Sequence, residues 1–254
     1  PGPLTMIFEK SDKVPLETTG GLSTVAVRMP KDRIALEFIK QSGGYVAAPS
    51  ANLSGKPSPT LAKYVMEDMN GRIEAVIDGG EAIIGLESTI VDLTGEKPMI
   101  LRPGYITKEM LEEVLGQVEE DRTMMKGDTG EKPKAPGMKY RHYAPKGQLT
   151  IIQGESGKVV EKINALTREA KKQGKKTGVI ATEESLAFYE ADIVKNAGNR
   201  RDETTIAKEL YRILREFDDE DVEVIFSESF AENGIGQAIM NRLLKAAGHK
   251  IIHI

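Results

Sequence analysis

An α/β protein in two parts is what the sequence predicts, and three observations carry that expectation. Residues 1–116 mix short apolar runs of strand length with three helical patterns, residues 117–147 lose all periodicity, and residues 148–254 alternate strand-like with helical segments. Alternation of the last kind builds a parallel, doubly wound sheet, whereas the irregular order of the first part suits a mixed sheet.

In the first part the expected strands are Leu4 to Phe8, Thr24 to Arg28, Tyr45 to Ala48, Ala75 to Asp78, Thr89 to Leu93 and Met99 to Leu101. The first helix runs from about Lys31 to Ser42, with Ile34, Leu36, Phe38 and Ile39 apolar and Gly43-Gly44 as its stop. The second is expected to begin at Ser58-Pro59, a capping serine followed by a proline whose missing N–H costs nothing in the first turn. The third runs from Thr107 to Gly116 with Met110, Leu111, Val114 and Leu115 facing inward. Residues 117–147 are rich in charge, Gly and Pro and read as a spacer. Their second half, Pro136-Gly-Met-Lys-Tyr-Arg-His-Tyr-Ala-Pro145, places two tyrosines, an arginine and a histidine between prolines, which plain spacers seldom do.

Beyond it, Leu149 to Gln153, Thr177 to Ala181, Asp192 to Val194, Val222 to Phe226 and Ile251 to Ile254 are runs suited to strands covered on both faces. Helices are expected near Gly157 to Lys172, Glu183 to Tyr189, Thr204 to Phe217 and Gln237 to Ala247. In the third of these, Ile206, Leu210, Ile213, Leu214 and Phe217 form one helical stripe.

Composition narrows the function. The chain has 254 residues, 39% hydrophobic, enough for one large or two ordinary cores. A formal net charge of −4 argues against a surface broadly built for nucleic acid, so any RNA contact must be regional. With no cysteine there is no disulfide, thiolate metal site or thiol nucleophile. No apolar run approaches the ~20 residues that span a bilayer and the N-terminus has no basic-then-apolar secretion signal, so a soluble, cytoplasmic protein is expected. The opening Pro1-Gly-Pro-Leu-Thr-Met-Ile-Phe8 enters a strand-like run at once, and a missing N-terminal portion is expected.

The run Gly43 to Thr60, GGYVAAPSANLSGKPSPT, leads from the expected strand at Tyr45 into hydroxyls and amides. Strand ends of α/β sheets are where ligands bind. Ser50, Asn52, Ser54 and Ser58 can hydrogen-bond phosphate or ribose, Lys56 can add positive charge, and a helix starting at Ser58 would add a partial one. The same residues also have a local use, as a helix cap and in turns. Glu87-Ser-Thr-Ile-Val-Asp92 repeats the form at another strand mouth, where Ser88 can equally satisfy a loop. Arg28 and Arg102 each close a strand, a placement suited to bidentate anion recognition or to a surface ion pair. Two nucleotide signatures fail: Gly154-Glu-Ser-Gly-Lys158 lacks the Walker spacing, and Gly234-Ile-Gly236 has Ile239 where a dinucleotide fingerprint needs glycine. His142, His249 and His253 show no metal-ligand spacing, and no Ser-His-Asp grouping is arguable.

Six ordered motifs now stand together: Thr24-Val-Ala-Val-Arg28-Met-Pro, Ala47-Ala-Pro-Ser-Ala-Asn52-Leu-Ser-Gly, Ile77-Asp-Gly-Gly80, Glu87-Ser-Thr-Ile-Val-Asp92, Ile100-Leu-Arg-Pro-Gly104 and the 136–145 run. In these the chain resembles the two-domain threonylcarbamoyl-AMP synthase family, the Sua5 type of the YrdC-like superfamily. The resemblance implies a twisted, mixed-sheet YrdC-like catalytic domain over residues 1–116, incomplete at its N-terminus, a linker or lid over 117–147, and a smaller Rossmann-like domain over 148–254. It implies synthesis of L-threonylcarbamoyladenylate from L-threonine, bicarbonate and ATP with release of pyrophosphate, feeding N6-threonylcarbamoyladenosine in tRNA through a downstream threonylcarbamoyl-transferase complex. Carried over by motif, Arg28, Ala48 and Ser88 hold threonine. Thr24, Ser50, Asn52, Ser58 and Arg102 hold ATP with Tyr143, Tyr140 being the second choice, and Mg2+ accompanies the nucleotide. The family's Lys-x-Arg phosphate element would lie upstream of Pro1.

Such chemistry needs no protein nucleophile, because the carbamate oxygen attacks phosphorus itself and positioning with charge stabilisation carries the rate. A rival reading is a non-catalytic module for double-stranded RNA or tRNA, motivated by the resemblance and by Lys134, Lys139, Arg141 and Lys146. A third makes the C-terminal domain a nucleotide sensor that regulates the first.

Overall fold

The structure is a computed structural model that describes residues 1–121, 124 and 143–254. The described chain divides into two compact units, the first from Pro1–Ser50 with the described residues from Glu87 to 124, the second from Ala51–Leu86 with residues 143–254.

The first unit carries β1 (Leu4–Glu9), α1 (Leu16–Thr19), β2 (Thr24–Val27), α2 (Arg33–Gln41), β3 (Thr89–Asp92), β4 (Met99–Arg102), α4 (Lys108–Leu115) and β5 (Glu119–Glu120). Its sheet has the order β2-β1-β3-β4-β5. β1 runs antiparallel to β2 and parallel to β3, β3 antiparallel to β4, and β4 parallel to β5, which is the expected mixed sheet. Ile7, Ile90 and Leu101 form one small core, and Ile100, Leu111, Val118 and Met124 form another. Asp32 caps α2 by accepting from Ala35 N–H at 2.8 Å, and Thr107 caps α4 by accepting from Met110 N–H. No residue of α2 is buried, although Ile34, Leu36, Phe38 and Ile39 are apolar.

Two expected strands do not form. Tyr45 to Ala48 is irregular and exposed, with Tyr45 87% accessible, and Ala75 to Asp78 likewise lies outside any sheet. Four apolar residues become a strand only when a neighbouring ladder satisfies their backbone, and here flanking glycines and Pro49 leave too short a run to recruit one. In the second case the Asp78 carboxylate turns the chain by accepting from Gly80 N–H at 2.9 Å. Conversely, Glu119–Glu120, inside the expected spacer, pairs with β4.

The second unit contains α3 (Ala62–Met69), β6 (Gln148–Gln153), α5 (Ser156–Lys172), β7 (Thr177–Ala181), β8 (Ile193–Asn196), α6 (Glu203–Asp219), β9 (Val224–Glu228), α7 (Gly234–Ala246) and β10 (Ile251–His253). Its strands, in the order β10-β6-β9-β7-β8, are all parallel, as strand-helix alternation requires. Ile152, Val159, Ile163, Val179, Ala181 and Phe226 build its core. The α6 stripe of Ile206, Leu210, Ile213, Leu214 and Phe217 is buried at every position. The helix expected at Glu183 to Tyr189 shrinks to one 3₁₀ turn, Leu186–Phe188, because Ser185 spends its hydroxyl on Thr182 and on Glu228 rather than leaving the backbone to helical pairing.

The second helix of the sequence reading starts later than expected. α3 begins at Ala62 after an extended Leu61, so Ser58 is not its cap and no helix N-terminus points from Ser58. Pro57 and Pro59 hold Lys56 and Ser58, the residues before them, away from helical geometry.

Candidate functional site

Sheet register decides which of the predicted site residues in the first unit share an edge. Ser88 immediately precedes β3, Arg102 ends the antiparallel β4, and Ile90 pairs with Arg102. The Arg102 guanidinium donates through Nε at 3.2 Å and Nη2 at 3.0 Å to the Ser88 carbonyl, with Nη2 also 3.4 Å from the Ser88 hydroxyl. A 2.6 Å hydrogen bond joins Thr5 Oγ1 to Ser88 Oγ. Ser88 is only 7% exposed, so both its groups are oriented by protein. The close turn depends on Gly104, because a Cβ there would lie 2.5 Å from Thr89 N and 2.8 Å from Glu87 O.

Arg28 follows Val27, which pairs with Met6, and so reaches the edge of the sheet that carries Leu4, Ser88 and Arg102. Thr24 pairs with Glu9 and sits at the other end of the same two strands. Four residue steps along the strand separate it from Arg28, about 13 Å. The edge therefore gathers Arg28, Ser88 and Arg102 but not Thr24. Ala48 and Ser50 lie in the exposed irregular segment, not at a strand end.

The second unit holds Asn52, Ser58 and Tyr143. Asn52 donates through Nδ2 to Leu53 O at 2.9 Å and Lys56 O at 3.3 Å, so it staples its own loop, while its Oδ1 is buried without a hydrogen-bond partner among the described residues. Lys56, expected to face phosphate, is instead paired with Asp68 at 2.7 Å. Tyr143 is 6% exposed, its ring 5.1 Å from that of Tyr211 on α6. Its φ of 64° places a non-glycine residue in the left-handed region, a strain that folds tend to keep at functional positions. Next to it, Ala144 N–H donates to Gly55 O at 2.9 Å, which ties the end of the tyrosine motif to the Asn52 loop. Tyr140, Arg141, His142, Lys134 and Lys139 lie outside the described residues. Lys146, the remaining member of the basic cluster, donates its backbone N–H to Asp218 at 2.6 Å.

Sequence reading missed Asp68 and Arg215. Asp68 has no accessible side-chain surface, and burial opposes its ionisation. Hydrogen bonds from Arg215, Lys56 and Leu53 N–H outweigh that cost and lower its carboxyl to about 2. Arg215 lies on α6 five places beyond Leu210, on a second stripe with Lys208, Tyr211 and Asp219 that the apolar periodicity concealed. Tyr64 is also fully buried, its hydroxyl donating to Asp219 at 3.1 Å and its ring 5.4 Å from the Arg215 guanidinium. The signal was present in outline: an Asp and an Arg inside otherwise amphipathic helices.

Comparison with known proteins bears on all of this. Residues 106–248 match the family model described as the C-terminal domain of threonylcarbamoyl-AMP synthase, and residues 1–104 match the one described as telomere recombination. The threonylcarbamoyl-AMP synthase of Bacillus subtilis is 48% identical over 99% of the chain and 71% of its own length. The chain belongs to the threonylcarbamoyl-AMP synthase family. Its relative from Pyrococcus abyssi is also 48% identical, over 100% of the chain and 73% of that protein. The crystal structure of P. abyssi Sua5 complexed with L-threonine superimposes with a TM-score of 0.93 at 47% identity, covering 100% of the chain and 73% of that structure. Family membership makes the protein an enzyme of the nucleotidyltransferase type. Among the described residues no helix is long and apolar enough to cross a membrane.

Proposed function

We propose that the protein makes L-threonylcarbamoyladenylate from L-threonine, bicarbonate and ATP. The observation that carries this reading is likeness along the whole chain to synthases of that name, one of them solved with L-threonine. The edge of the first unit's sheet supplies chemistry to match. Arg28 offers a guanidinium for the threonine carboxylate and Ser88 a hydroxyl, while Arg102, held flat by the Ser88 carbonyl, stabilises phosphate charge; Ala48, in the irregular segment outside that edge, offers backbone groups. Thr24, Ser50, Asn52, Ser58 and Tyr143 are assigned to ATP.

Threonine's amine adds to CO2 released from bicarbonate, losing a proton and giving a carbamate. A carbamate oxygen then attacks the α-phosphorus, and the bond to the bridging oxygen breaks so that pyrophosphate leaves with the electron pair. The protein's part is to align the two and to neutralise the charge that develops. Mg2+ enters as part of the MgATP substrate. Among the described residues no group of three His, Asp or Glu side chains forms a metal site, and Mg2+ in such reactions is held largely by phosphate and water. The unstable product suits direct hand-over to a downstream threonylcarbamoyl-transferase acting on tRNA.

Pyrophosphate release by the purified protein tests the reading. Release should require threonine and bicarbonate together; release indifferent to threonine, or none with all three substrates, rejects it.

A further inference from the structure

The segment 51–86, which lies in the part of the chain matched by the family model over residues 1–104, folds into one compact unit with the C-terminal sheet. Its attachment is specific. Arg215 of α6 directs its donors to one loop and to the helix that follows it: Nε reaches Pro57 O at 2.9 Å, while Nη1 reaches Asp68 Oδ1 of α3 at 3.2 Å and Nη2 reaches Asp68 Oδ2 at 2.6 Å. Asp68 passes the connection on, accepting from Leu53 N–H at 3.1 Å and Lys56 Nζ at 2.7 Å. Leu53, Lys56 and Pro57 lie between Asn52 and Ser58, the two ATP candidates of this unit. Both members of the pair are buried, with side-chain exposures of 3% and 0%, so neither is idle surface charge.

The rest of the contact face repeats the design. Lys63 and Tyr64 both donate to Asp219, Lys208 pairs with Glu81 at 3.3 Å, and Gly85 packs so closely on the α6 backbone at Ala207 and Lys208 that no Cβ would fit. On its other side α6 is fixed by Ile206, Leu210, Ile213, Leu214 and Phe217, all within 1% of full burial. A chain of rigid contacts thus runs from the parallel sheet through α6 to the backbone of the 53–57 loop.

We propose that Arg215 and Asp68 are positioning residues for the nucleotide loop, so that the C-terminal unit acts as the scaffold that sets ATP geometry. The inference rests on the proposed reaction and deepens it. It predicts an asymmetry between substrates, because the threonine candidates Arg28, Ala48 and Ser88 all lie in the first unit, whereas the ATP candidates are divided, Thr24, Ser50 and Arg102 in the first and Asn52, Ser58 and Tyr143 in the second.

The test is steady-state kinetics on the full chain with Arg215→Lys, Arg215→Met and Asp68→Asn, alongside thermal melting of each. Arg215→Lys keeps a cation for Asp68 but loses the forked reach to Pro57 O. Displacing the loop by a fraction of an ångström should raise the KM for ATP about ten- to a hundredfold in Arg215→Met and less in Arg215→Lys, with the KM for threonine nearly constant. Arg168→Met, which removes an exposed partner of Glu190, should change neither. If Arg215→Met does not fold, Arg215→Lys and Asp68→Asn decide. Folded variants that keep the wild-type KM for ATP, or that lose both substrates equally, overturn the positioning role. A wild-type protein without threonine-dependent turnover overturns the reaction instead.

Discussion

The two units differ in how they spend apolar surface. In the second, strands covered on both faces and the α6 stripe place Ile151, Ile152, Ile180, Leu210, Leu214, Phe217 and Ile225 at zero exposure. In the first, the buried residues among those described fall in short stretches of β1, β3, β4 and α4 and at a few adjoining positions such as Ser88, Val118 and Met124, and β2 and α2 contribute no buried residue, with Ile34 and Phe38 nearly half exposed. Stability is therefore concentrated in the second unit, and the strand-end arginines belong to the first. A loop carrying ligand groups gains rigidity by fastening to the better packed partner, which is what Asp68 and Arg215 accomplish.

Core truncations should expose this contrast most strongly. Phe217→Ala removes a fully buried ring and should cost about 3–5 kcal/mol, whereas Ile100→Ala should fall near 2 kcal/mol because its more open surroundings can relax. Denaturant unfolding with segment-resolved hydrogen exchange would separate the two, and equal losses would contradict the comparison. Next comes the buried pair: Asp68→Asn leaves Arg215 with an uncompensated charge and should cost roughly 3 kcal/mol, read from the same unfolding curves.

Gly104→Ala tests the site edge. The clash with Thr89 N and Glu87 O should cost about 1–3 kcal/mol and displace Ser88, so threonine affinity should fall more than ATP affinity in a calorimetric titration. Acid is a gentler probe. Asp68 and Asp192 both have carboxyls lowered to about 2, the latter through hydrogen bonds from Lys171 and Thr177. A depressed folded-state pKa gives stability that is complete above the unfolded value of about 3.9 and is lost as pH falls toward 2, roughly 2 kcal/mol for Asp68. The unfolding free energy should stay flat above pH 5 in this respect and drop below pH 4; Asp68→Asn should flatten part of that drop.

Legibility in the sequence followed the same division. The second unit's strands were readable because burial on both faces leaves uninterrupted apolar runs, as in Thr177–Ala181, whose bounds match the expectation residue for residue. In the first unit the same logic failed at Tyr45 to Ala48, where apolar residues find no ladder, and missed Glu119–Glu120, whose charged side chains hide a strand defined only by backbone pairing. For the site, the sequence placed Arg28 and Arg102 at strand ends and Ser88 at a strand mouth; sheet register brings the three to one edge and leaves Thr24 at the other end of its strand pair. The helix expected from Ser58 forms only from Ala62, since two prolines outweighed a capping serine. Asp68 and Arg215 stood out singly as charges inside amphipathic helices, but their pairing was not readable because it spans a sequence separation of 147, beyond any local pattern.

The most direct measurement supplies carbon-labelled bicarbonate with ATP and threonine and follows the label by mass spectrometry. Label recovered in a threonine-containing adenylate, with one pyrophosphate per molecule formed, is the predicted result. Pyrophosphate formed without labelled adenylate, or an adenylate of unlabelled threonine alone, would contradict the account.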